Sequence, residues 1–294
     1  GAPLWRQGRR GEGPGEYQYI VDVRSCGDYI LVRDPDLRRL TFLNWAGEVE
    51  GVRDYGEGSE VGATSALDCN AHGQFAQLHR TFPAEGPSGS YMANAVLFVG
   101  DLLSGERRIV LDAPGFQRHR LATTDVPADL GKRTLVATGG SLVHVITTDR
   151  AEVRSYGLNG DLVRVARWPV APKGITTGLL EELAARRAEV LPESMRTEYK
   201  RQWLDLPHPE ELSFVDELVL SSTGDLWLRR FDGYVERSEE TQWWVFSAAG
   251  AWRGSVTLPA GFQLMSVTTE SVVGLTRDEL NVEYVEIRRI HRGS

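Results

Sequence analysis

Asp22, Asp68, Asn70, Asp125 and Asp216 all sit in or beside short apolar runs. Oxygen ligands converging from several such runs could hold a hard cation such as calcium, which takes six to eight of them. A cation held that way can assist hydrolysis or elimination. Asp22 and Asp68 fall at similar places in two successive sequence units, so the fold could bring them together. Two carboxylates facing one space repel, and would need a cation or an arginine between them. The opposing reading makes these residues solvated strand ends and turn acceptors. Asp22, Asp68 and Asp216 are weak metal candidates, and no metal ligand is assigned.

Other reactive groups form no constellation. The histidines, His72, His79, His119, His144, His208 and His291, show no metal-ligand spacing. His119 and His144 could meet only through the fold. No GxSxG nucleophile elbow occurs, Gly86 to Ser90 being a loop without the strand–turn–helix context, and no HExxH, Walker A or EF-hand pattern occurs. No catalytic residue is assigned and no cofactor is implied. Cys26 and Cys69 occupy equivalent positions of adjacent units. They are either an inter-unit disulfide, if the chain is exported and their Cα atoms approach within about 7 Å, or two buried free thiols.

Composition narrows the partners. The chain has 294 residues, a net charge of −8, 41% hydrophobic and 25% charged residues, which is ordinary for a globular protein. A negative chain is a poor general binder of nucleic acid, where affinity rests on Lys and Arg neutralising phosphates. The longest apolar runs, such as Ala95 to Val99, are too short to span a membrane. The opening GAPLWRQ reads as a mature exported chain or an excised segment.

The elements that would position these residues are strands. Runs such as YILVRD, RLTFLN, AVLFVGD, LVHVITT and QWWVFSA alternate or stay apolar for a few residues between Gly, Asp, Asn and Pro. They group into a repeat of four strands, legible as five units, and such a repeat marks a β-propeller. The expected fold is therefore all-β: a single propeller domain over residues 1–294. The fifth unit lacks a fourth strand. Leu4 to Gln7 is expected to supply it beside VEYVEIRRI and close the ring, removing sheet edges that invite aggregation. The connector GRRGEGPGEY precedes a strand rather than a helix, so it offers no helix N-terminal amides to a phosphate.

Two segments interrupt the repeat. Pro83 to Asn94 is rich in Gly, Ser and Pro and reads as an exposed loop. Residues 175–211 form an insertion with helices expected near 175–206. Leu179, Leu180, Leu183, Val190 and Leu191 follow helical spacing, Thr177 is the candidate N-cap, and Pro192 separates a second helix running through Trp203. It is either a packed crossing between units or a lid or docking surface.

Three stretches carry a family resemblance. Gly8 to Tyr17, Gly224 to Leu228 and Arg39 to Glu48 are similar to the "GRxGEGPGEF", "GxLWV" and "RLxxFxxxGE" patterns of the bacterial six-bladed β-propeller family related to NHL-repeat and TolB-like propellers. The resemblance implies fold rather than chemistry. It also implies export or lipid anchoring, and binding or scaffold roles more than enzymatic ones. Six blades are usual there and five units are legible here, so Phe116 to Gly131 is a candidate for part of a sixth.

The leading expectation is a non-catalytic, extracytoplasmic protein-binding or scaffold module, an accessory subunit of a membrane-associated assembly without a transmembrane segment of its own. Interface candidates are Leu179, Leu183, Trp203, Trp243 and Trp244, since exposed aromatics commonly anchor interfaces. Alternation puts Trp243 and Trp244 on opposite faces, one in the core and one exposed or covered. Trp5, Trp45 and Trp252 read as packing between blades. The alternatives are a calcium-dependent hydrolase or lyase with its site in the central channel, and carbohydrate or peptide recognition.

Overall fold

The computed structural model describes residues 4–54, 62–81, 86–121, 125–233 and 240–291. Its strands form five antiparallel sheets. The first contains β1 (Asp22–Cys26), β2 (Tyr29–Asp34), β3 (Arg39–Asn44) and β4 (Val49–Asp54). The second contains β5 (Gly62–Cys69), β6 (Gln74–Thr81), β7 (Gly89–Asp101), β8 (Arg107–Arg120) and the short β9 (Asp125–Pro127). The third is β10 (Thr134–Gly139), β11 (Leu142–Thr147), β12 (Glu152–Gly157) and β13 (Leu162–Arg167). Helices α1 (Thr177–Ala188) and α2 (Glu193–Leu204) follow. The fourth sheet is β14 (Val215–Leu220), β15 (Leu226–Arg230), β16 (Glu240–Phe246) and β17 (Trp252–Pro259). The fifth is β18 (Gln263–Val267), β19 (Ser271–Arg277) and β20 (Glu283–Arg289).

Within each sheet the strands pair in chain order, and first strands neighbour one another: β1 beside β5, then β10, β14 and β18. This radial succession is a propeller arrangement. Apolar faces fill each successive gap. Leu31, Leu40 and Phe42 meet Phe75 and Leu102 between the first two sheets. Leu78 and Leu97 meet Val136 and Val143 across the next gap. Ile146 and Val153 meet Leu226 and Phe246 across the third, and Trp227 and Trp243 meet Phe262 and Leu264 across the fourth. Close approach dictates one small residue. Gly51 lies opposite Phe42, whose ring stands 2.3 Å from where a Cβ would sit.

The ends of the chain depart from expectation. Leu4 to Gln7 is not a strand and does not pair with β20. Trp5 instead donates its indole N–H to the Trp45 carbonyl at 2.9 Å and lies over Gly47, whose φ of +85° and close ring contact leave no room for a side chain. A large aromatic anchored to the first sheet holds the segment away from the fifth. The fifth sheet therefore has three strands, and Tyr284, Val285 and Ile287 of β20 are exposed.

Two other segments differ. Among the described residues Phe116 to Gly131 starts no sixth unit: it carries the end of β8, then β9, both in the second sheet. Much of the Pro83 to Asn94 loop is strand, because β7 and β8 extend as a long hairpin in which Gly89 pairs with Arg120. Residues 83–85 lie outside the described residues. Trp5, Trp45 and Trp252 are all exposed rather than packed between sheets.

The insertion is helical. Its N-cap is Thr176 rather than Thr177, its side-chain oxygen accepting the Leu179 N–H at 3.2 Å. Arg196 of α2 donates to the carbonyls of Glu189 and Leu191 and so binds the turn after α1. Leu183, Ala184 and Trp203 pack with Leu130, Leu212 and Phe231, which fixes both helices to the sheets.

Candidate functional site

The carboxylates that could do chemistry are dispersed and engaged. Asp22 meets Arg33 at 3.0 Å and Arg24 at 3.2 Å. Asp68 accepts the Thr138 N–H at 2.5 Å, and burial pushes its carboxyl above the usual range. Asp125 takes Arg118 at 2.6 Å and the Tyr91 hydroxyl. Asp216 is held bidentately by Arg229 at 2.7 and 2.8 Å, and the same guanidinium meets Glu217 at 2.9 Å. Asn70 is a turn residue, donating to Gly140 O at 2.7 Å and accepting the His72 and Gln74 N–H groups. Among the described residues no three His, Cys, Asp or Glu side chains group as metal ligands. Asp22 and Asp68 feel each other electrostatically, but arginines answer that repulsion.

The histidines do not gather. His144 is buried beside Ser155, with Nδ1 and Oγ 2.9 Å apart, and burial together with Arg164 lowers it to about 4. His119 neighbours His208 and Asp129 rather than His144, and burial first, then His208, lowers it. His208 stacks on Trp203 with ring centroids 4.4 Å apart. Cys26 and Cys69 are disulfide-bonded, with Cα atoms 5.1 Å apart, and join the first strand of one sheet to the first of the next.

The connector is organised by carbonyls, not amides. Arg39 of β3 donates to the Glu12, Gly13 and Glu16 carbonyls, and Glu16 accepts the Gly13 N–H at 2.9 Å. A loop whose oxygens converge on a guanidinium cannot cradle a phosphate.

A concave site lies elsewhere. A cavity of about 540 Å³ opens between the ends of β8, β10 and β14, with the 127–133 loop on one side and α1 on another. That volume lies in the range of small-ligand pockets. The insertion borders it through Arg187 of α1. Asp129, on the loop, takes Arg187 of α1 at 2.8 Å and the Trp203 indole N–H of α2 at 2.5 Å, while Lys132 Nζ donates to the Glu211 carbonyl at 2.6 Å. The lining mixes apolar Phe116, Leu130, Leu135, Val136, Leu218 and Phe231 with charged groups.

Charge in this cavity is unbalanced. Its carboxylates, Asp129, Asp216 and Glu217, are each bonded to an arginine. Arg80 and Arg133 also line it, and neither forms an ion pair among the described residues. Arg133 donates to the Asp216 carbonyl. Arg80 stacks on Phe116, its guanidinium carbon 4.0 Å from the ring centroid. Burial first, then the nearby charges of Arg133, Arg118 and Arg33, lower Arg80 to about 10.

The proposed interface residues are largely internal. Leu183, Trp203 and Trp243 are buried. Leu179 is partly buried against the insertion's core. Trp244 is covered by Trp168, with ring centroids 5.8 Å apart. Leu183, Trp203 and Trp243 thus place their apolar surface within the chain, while Leu179 and Trp244 keep part of theirs exposed. No motif marks Arg80, Arg133 or Phe116, because each is one arginine or aromatic among many at strand ends.

No family model matches the chain, and no curated protein matches it. Solved structures resemble it at low identity. A Bacteroides fragilis protein assigned to export is 14% identical at a TM-score of 0.48, over 92% of this chain and 69% of that one. The β-propeller domain of the trilobed protease from Pyrococcus furiosus is 10% identical at 0.45, over 94% and 83%. A DUF4221 family member from Bacteroides vulgatus is 10% identical at 0.47, over 95% and 81%.

Proposed function

We propose that the chain is a non-catalytic, extracytoplasmic binding module that takes part of another protein into the cavity bordered by α1. It serves as a scaffold or accessory subunit of a membrane-associated assembly. The observation that carries this reading is the cavity itself, a preformed concave site fixed by the helical insertion through Asp129. Two further features support it. A disulfide suits an oxidising compartment. Calcium-dependent hydrolysis or elimination in the channel would need convergent free carboxylates, and those of Asp22, Asp125 and Asp216 are held by arginines.

The test is capture from a native envelope fraction by the intact chain and by Ala128→Trp, a substitution at the cavity wall that fills the opening. A partner retained by the parent and lost by the variant, with unchanged circular dichroism, supports the reading. Equal capture by both overturns it.

A further inference from the structure

We infer that this cavity recognises a single carboxylate carried on an apolar body, as at the C-terminus of a peptide ending in an aliphatic residue. The inference rests on the binding-module reading and names what that site takes.

The first argument is charge. Every carboxylate lining the cavity already has its arginine, and Arg80 and Arg133 remain without one among the described residues. The Arg80 guanidinium makes no hydrogen bond among the described residues, although it has five N–H donors. Stacking on Phe116 fixes its plane and leaves the N–H edge for a ligand. Burial first, and then the neighbouring cations Arg133, Arg118 and Arg33, hold Arg80 below its ordinary range. An anion placed there would relieve that repulsion and gain charge-assisted hydrogen bonds.

The second argument is selectivity. The same wall holds Asp129, Asp216 and Glu217, so a dianion would approach three carboxylates as well as two arginines that have no carboxylate partner among the described residues. A monoanion meets less of that repulsion. Beside the arginines lie Leu130, Leu135, Val136, Leu218 and Phe231, which would desolvate an aliphatic side chain. Cationic edge and apolar floor together match a carboxylate with a short hydrocarbon body, from either a peptide terminus or a free organic acid.

The experiment is calorimetric titration of the full chain with four probes: acetyl-Ala-Ala-Leu with a free C-terminus, its amide, hexanoate and inorganic phosphate. The free acid should bind at least about tenfold more tightly than the amide, the loss expected for one charge-assisted contact. Arg80→Met should bring acid affinity down to that of the amide and leave the amide unchanged. Arg133→Gln is the second variant, with circular dichroism confirming the fold of each. Peptide acid binding more tightly than hexanoate assigns the ligand to a peptide terminus, and equal affinity assigns it to a free organic acid. Both outcomes support the carboxylate. Equal binding of acid and amide, undiminished acid binding by both arginine variants, or tighter binding of phosphate overturns it. If Ala128→Trp abolishes partner capture while Arg80→Met preserves it, the cavity reading stands and the carboxylate inference falls. If neither variant changes capture, both fall.

Discussion

The indole N–H of Trp203 donates to the carboxylate of Asp129 at 2.5 Å, across 74 residues of sequence. Arg187 holds the other oxygen of that carboxylate at 2.8 Å. One side chain on a sheet loop thus receives both inserted helices. Asp129→Ala should leave a buried indole N–H unpaired and cost about 1–3 kcal/mol. Helical circular dichroism should then fall at a lower temperature than the sheet signal. Simultaneous melting at the parent temperature would show that apolar packing alone seats the insertion.

Arg229 answers Asp216 and Glu217 together, and the Asp216 side chain is only 8% exposed. Arg229→Met should leave two partly buried carboxylates without their cation and destabilise by about 3–5 kcal/mol. The double variant Arg229→Met, Asp216→Asn should recover part of that loss. Denaturant midpoints of both variants against the parent measure it, and an unaltered midpoint for Arg229→Met contradicts the account.

Stability should depend on His144 below neutrality. Its folded value of about 4 lies below the ordinary 6.5, because burial and Arg164 disfavour the cation. As pH falls, the unfolded chain therefore takes up the proton first. The contribution is fully present above about 6.5 and is lost toward about 4, on the order of 3 kcal/mol in all. Glu217 and Asp68, pushed upward by burial, act in the opposite direction, so the comparison must be with His144→Gln. Unfolding free energies at pH values across this window should fall more steeply for the parent than for the variant. Parallel curves would remove His144 from the explanation.

Reduction of Cys26–Cys69 should destabilise the chain. The bond spans 43 residues, and closing a loop of that size in the unfolded chain is worth up to about 4 kcal/mol. A lower melting temperature in reductant, reproduced by Cys26→Ser with Cys69→Ser, is expected. Two reactive thiols in the unreduced, denatured chain would show the bond absent.

Local rules explain most of what was legible beforehand. Alternation in RLTFLN and QWWVFSA marks strands, because a pleated strand presents every second residue to one face. Those rules act over a few residues, so they located the sheets and the helical insertion. They could not place Leu4 to Gln7, whose strand-like composition loses to a single long-range contact between Trp5 and the Trp45 turn. The extra β9 is hidden for a different reason: it is only three residues long, too short to show a strand period, and pairs Asp125 with Arg120 and Val126 with His119. The site was less legible than the fold. Asp22 and Asp216 looked available for a cation until their arginines came into place from neighbouring strands. The unpaired state of Arg80 is a property of its surroundings, and one arginine in a string of letters carries no trace of it.

The disulfide also sets how the chain would respond to pulling. Residues 27–68 lie inside a covalent loop whose ends are 5.1 Å apart at Cα. Under tension applied from the termini, the unfolding first sheet would release only the chain outside that loop. Reduction would then free roughly 140 Å of further contour length, at about 3.3–3.6 Å per extended residue. The chain would thus carry a length reserve governed by the redox state around it.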